Sequence, residues 1–189
     1  MSFHILYISG LGDGYDPFRR FFLRFWSVFG VSTELAHMRW TDGSSYEEKI
    51  KRLDDLVARS KGKKIILIGE SAGGSVALNM YAQNPEAYYK VLTLCGKNTR
   101  ADLVSPKLYV KNPAFKTSMY LAEQSVKKLT LRQRRAFISI HPLADHVVPV
   151  PQTLIPGCKE VTLWTVGHFA TIIFALTLGS VFIVRAAIK

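Results

Sequence analysis

Five consecutive residues, Gly69-Glu70-Ser71-Ala72-Gly73, have the types and spacing of a nucleophilic serine. They form a G-x-S-x-G element between the apolar run Ile65 to Ile68, which suits a buried strand, and a segment from Ala72 onward that suits a helix. A strand-to-helix turn of this kind strains its central residue, so small residues on both sides keep neighbouring backbone from colliding with it. It also leaves the hydroxyl at a helix N-terminus, where backbone N–H groups favour developing negative charge. The pentapeptide alone fits a close-packed turn equally well.

An unactivated serine is a poor nucleophile and requires a histidine base with a carboxylate to orient it. The order Ser, Asp, His that goes with this elbow is available. "HPLADHVVP" places Asp145 just past a predicted strand Ala136 to Ile140, and "WTVGHF" places His168 just past a predicted strand Val161 to Thr165. Asp102 offers a second place for the carboxylate. His146 adjoins Asp145 in sequence, where side chains seldom face each other. His4, His37 and His141 lie in or at the ends of strands and read as structural. Histidines, cysteines and carboxylates do not cluster at ligand spacings, so neither a metal nor a cofactor is expected.

The elements that must carry these residues alternate along the chain. "FHILYIS" precedes a helix over Pro17 to Phe29; "STELAHM" precedes one over Ser45 to Ser60; "KKIILIG" precedes one over Ser71 to Gln83. "YKVLTLC", a long mixed segment, "RAFISI", "EVTLWTV" and a last helix from about Phe169 complete the chain. This pattern predicts an α/β fold: a mostly parallel sheet of about six strands, helices on both faces, in the order second, first, third, fourth, fifth, sixth. The 189 residues suit a single domain, 1–189. Phe18, Phe21, Phe22, Phe25, Trp26 and Phe29 recur at helical spacing and read most simply as core rather than as a nucleic-acid stacking platform. Ser44 and Ser45 stand three residues before Glu47 and Glu48, a capping-box pattern for the next helix.

On these residues the chain resembles a small α/β-hydrolase of the serine-hydrolase type. The likeness runs nearly end to end as an element pattern and is specific at "GESAGG", as in carboxylesterases, at Asp145 in "DHVVP" and at Gly167-His168. It implies that Ser71 attacks an acyl carbonyl, that His168 takes and returns the proton, and that Asp145 holds the imidazolium. It also implies an oxyanion hole from the backbone N–H groups of Ala72 and Leu11. The "SGLGDGYDP" loop is similar to the "HGLGD" loop of acyl-protein thioesterases, with Ser9 where that family usually has histidine. A plain tight turn accounts for Gly10, Gly12 and Gly14 as well. The implied function is hydrolysis of an acyl ester or thioester, carboxylesterase first and thioesterase or lipase-like second. A non-catalytic binding protein on the same fold is the rival.

Charge and hydropathy bear on partners. The net charge is +11, from 25 Lys and Arg against 14 Asp and Glu. Lys97 to Arg135 carries ten of those basic residues against Asp102 and Glu123. This segment, 97–133, lies where such hydrolases insert a cap, and a basic cap would attract an anionic acyl substrate or membrane. A solvated basic face serves the same counts equally well. "FATIIFALTLGSVFIV" has no charge, is short for a membrane span, and is too apolar all round for one-sided burial. Peripheral membrane contact or a homodimer through this C-terminal helix would supply the missing cover. No nucleic acid is expected. Two cysteines and an N-terminus that reads as a first strand suggest the cytoplasm.

Overall fold

A computed structural model describes residues 2–60 and 62–189. Six strands, β1 (Phe3–Ile8), β2 (Val31–Ala36), β3 (Lys64–Glu70), β4 (Lys90–Leu94), β5 (Phe137–Ala144) and β6 (Lys159–Val166), form one sheet. All neighbours are parallel and the order is β2-β1-β3-β4-β5-β6, so the topology is the expected one. The central strands are apolar on both sides because helices cover both faces. Leu6, Ile8, Ile65 and Leu67 face a layer made by α2 (Tyr46–Arg59), α3 (Gly73–Gln83) and α5 (Pro113–Lys128). Ile5, Tyr7, Ile66 and Ile68 face the layer of α1 (Asp16–Leu23), α8 (His168–Leu176) and α9 (Ser180–Ile188). The chain-order labels α4 (Pro106–Lys111), α6 (Leu131–Arg134) and α7 (Val150–Thr153) belong to short helices around the β4–β5 and β5–β6 connections.

Ser45 caps α2: its hydroxyl accepts from Glu48 N–H, and the Glu48 carboxylate accepts from Ser45 N–H at 2.7 Å. This is the expected box, with Ser45 rather than Ser44 as the cap.

The structure corrects two expectations. The aromatic run 18–29 is not core: Phe18, Phe21 and Phe25 are exposed, and only Trp26 of the six aromatics is buried. The helix tightens from α1 into a 3-10 stretch, Arg24–Phe29, and turns Arg19, Leu23 and Trp26 to the sheet. The Trp26 indole N–H donates to Leu176 C=O at 3.1 Å. The phenylalanines are left to pack on one another outside, Phe18 against Phe22 at 4.7 Å and Phe21 against Phe25 at 5.2 Å between ring centroids.

The apolar tail is also not one helix. It breaks between α8 and α9 with a 75° bend, where Gly179 N–H donates to Phe174 C=O at 2.7 Å. The bend brings Ile172 and Leu176 of α8 and Ile183 and Val184 of α9 against the sheet in turn. Among the described residues no single helix is long and apolar enough to cross a membrane.

Candidate active site

Ser71 ends the β3–α3 turn with φ +49, a left-handed conformation costly for any residue carrying a Cβ. The turn is closed by backbone: Ser71 N–H donates to Leu94 C=O and Gly74 N–H to Ser71 C=O, both at 3.0 Å. Its flanking glycines are required by contact. A Cβ on Gly69 would run into the Gly73 carbonyl, and one on Gly73 into the Ile8 carbonyl. A side chain at Gly10 would meet Ser71 Cβ and the Glu70 carboxylate, each at 2.9 Å, so the loop after β1 lies directly on the elbow.

His168 is the first residue of α8, carried past the end of β6 by Gly167 at φ +90. Its Nε2 lies 2.9 Å from Ser71 Oγ, and its Nδ1 lies 2.7 Å from Asp145 Oδ2. A carboxylate oxygen only accepts, so the pairing places the ring proton on Nδ1 and leaves Nε2 as acceptor for the serine hydroxyl. The other Asp145 oxygen accepts the N–H groups of Val147 and Val148 at 2.8 and 2.9 Å, which orients the carboxylate from behind. Asp145 and His168 are both buried, whereas Ser71 is partly open to solvent. All three stand beyond the carboxyl ends of β3, β5 and β6, where parallel strands leave their loops.

Leu11, Ser71 and Ala72 share one cavity of about 300 Å³. Among the described residues, neither the Leu11 nor the Ala72 amide is spent on a backbone acceptor outside the regular elements. The opposite wall comes from the 97–133 segment: Leu103, Val104, Leu108 of α4 and Phe115 of α5, with Val147 and Val148 beside them. The segment therefore borders the cavity with apolar side chains. Its basic cluster lies elsewhere. The helix α5 runs beside α3, tied by Ser75 to Ser118 at 2.7 Å and Ser125 to Asn79 at 3.0 Å, which places Lys127 and Lys128 about 18 Å along the axis from Phe115.

Lys97 is the one basic residue of the segment that lines the cavity. It is 5 % exposed, and its ammonium donates to Arg100 C=O at 2.9 Å and to the Gln152 side-chain oxygen. Both acceptors are neutral, and burial pushes the Lys97 pKa down to about 8. Sequence reading counted Lys97 in a charge total and passed over its position. The usable signal is "CGK" directly after a buried strand, where the chain has to turn beside the elbow.

The remaining candidates fall away from the cavity. Asp102 is exposed and paired with Arg100 at 3.0 and 2.9 Å. His146 is exposed, while His4, His37 and His141 bond Ser32, Asp16 and Glu160 respectively. Glu70 pairs with Arg19 rather than with a base. Cys95, Asp145 and His168 bring one potential ligand atom each within 4.8 Å. That donor set fits a metal poorly: Asp145 and His168 are bonded to each other, and burial pushes the Cys95 thiol up, away from the thiolate a metal requires.

The six-stranded order, the elbow after β3 and the helix carrying His168 define the α/β-hydrolase fold, and this chain has it. No protein-family model matches the chain, and no curated protein matches it by sequence. Solved structures do. It is similar to one of the metagenome-derived lipolytic enzymes LipS and LipT at TM-score 0.70 and 15 % identity, covering 97 % of this chain and 94 % of that one. An alpha/beta hydrolase from a sediment metagenome of the Mar Chica lagoon, Morocco, gives TM-score 0.61 at 14 % identity over 98 % and 92 %. A pyrethroid hydrolase from Sphingobium faniae gives 0.65 at 16 % over 98 % and 97 %.

Proposed function

We propose that this chain is a serine hydrolase that cleaves a small acyl ester or thioester through a covalent acyl-enzyme. The observation that carries the reading is the unbroken line Ser71 Oγ, His168 Nε2, His168 Nδ1, Asp145 Oδ2, at 2.9 and 2.7 Å. It starts from a serine held in a strained turn that opens on a cavity. The lipolytic and ester-cleaving descriptions of the similar folds agree with it.

In this reaction Ser71 Oγ bonds to the acyl carbonyl carbon while its proton passes to His168 Nε2. The carbonyl oxygen becomes an oxyanion and takes hydrogen bonds from the Leu11 and Ala72 N–H groups. Collapse of the tetrahedral intermediate breaks the bond to the leaving alkoxide or thiolate, which takes the proton back from Nε2. Water then repeats the sequence, giving its proton to His168, and releases the acid and free Ser71. Asp145 holds Nδ1–H throughout and stabilises the transient imidazolium. A cavity of about 300 Å³, largely apolar, suits a short or medium acyl group better than a long one.

Incubation with a fluorophosphonate followed by intact-protein mass spectrometry tests the assignment. One adduct on Ser71, absent from Ser71→Ala and His168→Ala, is the expected result. A folded wild-type protein that stays unlabelled and turns over no ester or thioester would overturn it.

A further inference from the structure

The exposed aromatic stretch and the bent tail lie on the same side of the sheet. The 3-10 turn Arg24–Phe29 packs on α9, and α1 packs on α8. Across that junction Tyr15 meets Phe169 at 6.5 Å, and together with Phe18 and Ile173 they line an apolar groove of about 310 Å³. The groove's floor holds Arg19 and Glu70, which neutralise each other. Phe21 and Phe25 continue the face beyond Phe18 at 51 % and 54 % exposure; Phe169 and Phe182 stand out from α8 and α9 at 60 % and 59 %. An apolar surface of this extent marks a contact with something other than water.

The charges on this face indicate what that partner is. Between Pro17 and Thr33, and again from Val161 to Lys189, the chain has no Asp or Glu. The one carboxylate at the start of α1, Asp16, is buried against Arg19 and His37. The exposed charges are Arg20 and Arg24, one helical turn apart alongside Phe21 and Phe25, with Arg185 and Lys189 on α9. Apolar side chains at the centre and arginines at the flank are the arrangement of an interfacial helix on an anionic bilayer. A second copy of the chain fits less well. A two-fold contact would set this face against itself, opposing arginines with no carboxylate to answer them.

We propose that the face formed by α1, residues 24–29, α8 and α9 docks on an anionic lipid surface. The aromatic rings enter the headgroup region, and Arg20 and Arg24 contact lipid phosphates. Since Phe169 adjoins His168, with ring centroids 5.5 Å apart, docking sets the candidate active site beside the lipid. The proposal stands apart from the hydrolase reading and holds whether or not Ser71 turns over an ester.

Co-sedimentation of the full chain with phosphatidylcholine vesicles, with and without phosphatidylglycerol, tests it. Binding should require phosphatidylglycerol and weaken as salt is raised. Phe21→Ser/Phe25→Ser and Arg20→Glu/Arg24→Glu should each reduce it by about tenfold or more. Lys127→Glu/Lys128→Glu, which changes the net charge equally at the far end of α5, should leave it within about twofold. Three results would overturn the proposal: no binding to either vesicle, equal loss from the Lys127/Lys128 control, or a dimer that the Phe21/Phe25 variant dissociates while vesicles bind neither protein. All six positions are exposed, so the variants should fold.

Discussion

Arg19 and Glu70 form a buried pair one residue before Ser71: guanidinium Nε donates to Oε2 at 2.8 Å and Nη2 to Oε1 at 2.5 Å. The Tyr7 hydroxyl donates to the same carboxylate at 2.7 Å, while burial, and next the Glu70 charge, keep that phenol protonated. Arg19 Nη1 also donates to Gly12 C=O at 3.1 Å. One side chain therefore ties the loop after β1, which carries Leu11, to the strand that ends at the elbow.

That pair predicts an asymmetric response in stability. Arg19→Met leaves a buried carboxylate without its counter-charge and should cost about 3–5 kcal/mol. Adding Glu70→Leu should recover most of the loss. Urea denaturation of the two variants gives the comparison, and a double variant no better than the single one would contradict it.

Substitutions in the hydrogen-bonded line should act on turnover and leave folding intact. Ser71→Ala and His168→Ala should each lower kcat by roughly 10⁴-fold or more, and combining them should add little, because the groups act as a unit. Asp145→Asn should lower it by about 10³–10⁴-fold, since an amide facing Nδ1 favours the wrong tautomer. Steady-state kinetics on a short acyl ester, with circular dichroism as the folding control, makes the measurement.

Lys97 should leave a signature in the pH dependence of stability. Its folded pKa, about 8, lies below the ordinary 10.5, so between those values the unfolded chain holds a proton that the folded chain has released. Stability from this group therefore rises with pH across that window, as the cost of burying the ammonium disappears. Relative to Lys97→Met, the wild type should gain between about pH 8 and 10.5 and show no change in the difference below pH 7. Denaturant midpoints of both proteins across that range test this.

The glycines should divide sharply. Gly73→Ala sets a methyl against the Ile8 carbonyl and should destabilise by about 1–3 kcal/mol or more. Gly14→Ala meets nothing within 4 Å and should stay within about 0.5 kcal/mol. Thermal denaturation distinguishes them.

The sequence by itself determined what depends on local identity and period. Alternating apolar runs and helical patterns set the element order and the parallel sheet. The small residues around Ser71 marked the elbow, and chain order singled out Asp145 and His168 over Asp102 and His146. Tertiary structure decided which side of each helix is covered, because that depends on partners distant in sequence. Phe18, Phe21 and Phe25 have the spacing of a core stripe, yet Leu176 and the sheet engage the opposite side, through Trp26 and Leu23. The tail reads as one helix, and its 75° bend follows from the need to bury Ile172 and Ile183 on the same curved sheet. Whether Lys97 is one charge among ten or the only ammonium in the cavity was settled by the path of the chain after β4, a long-range matter that residue types alone do not encode.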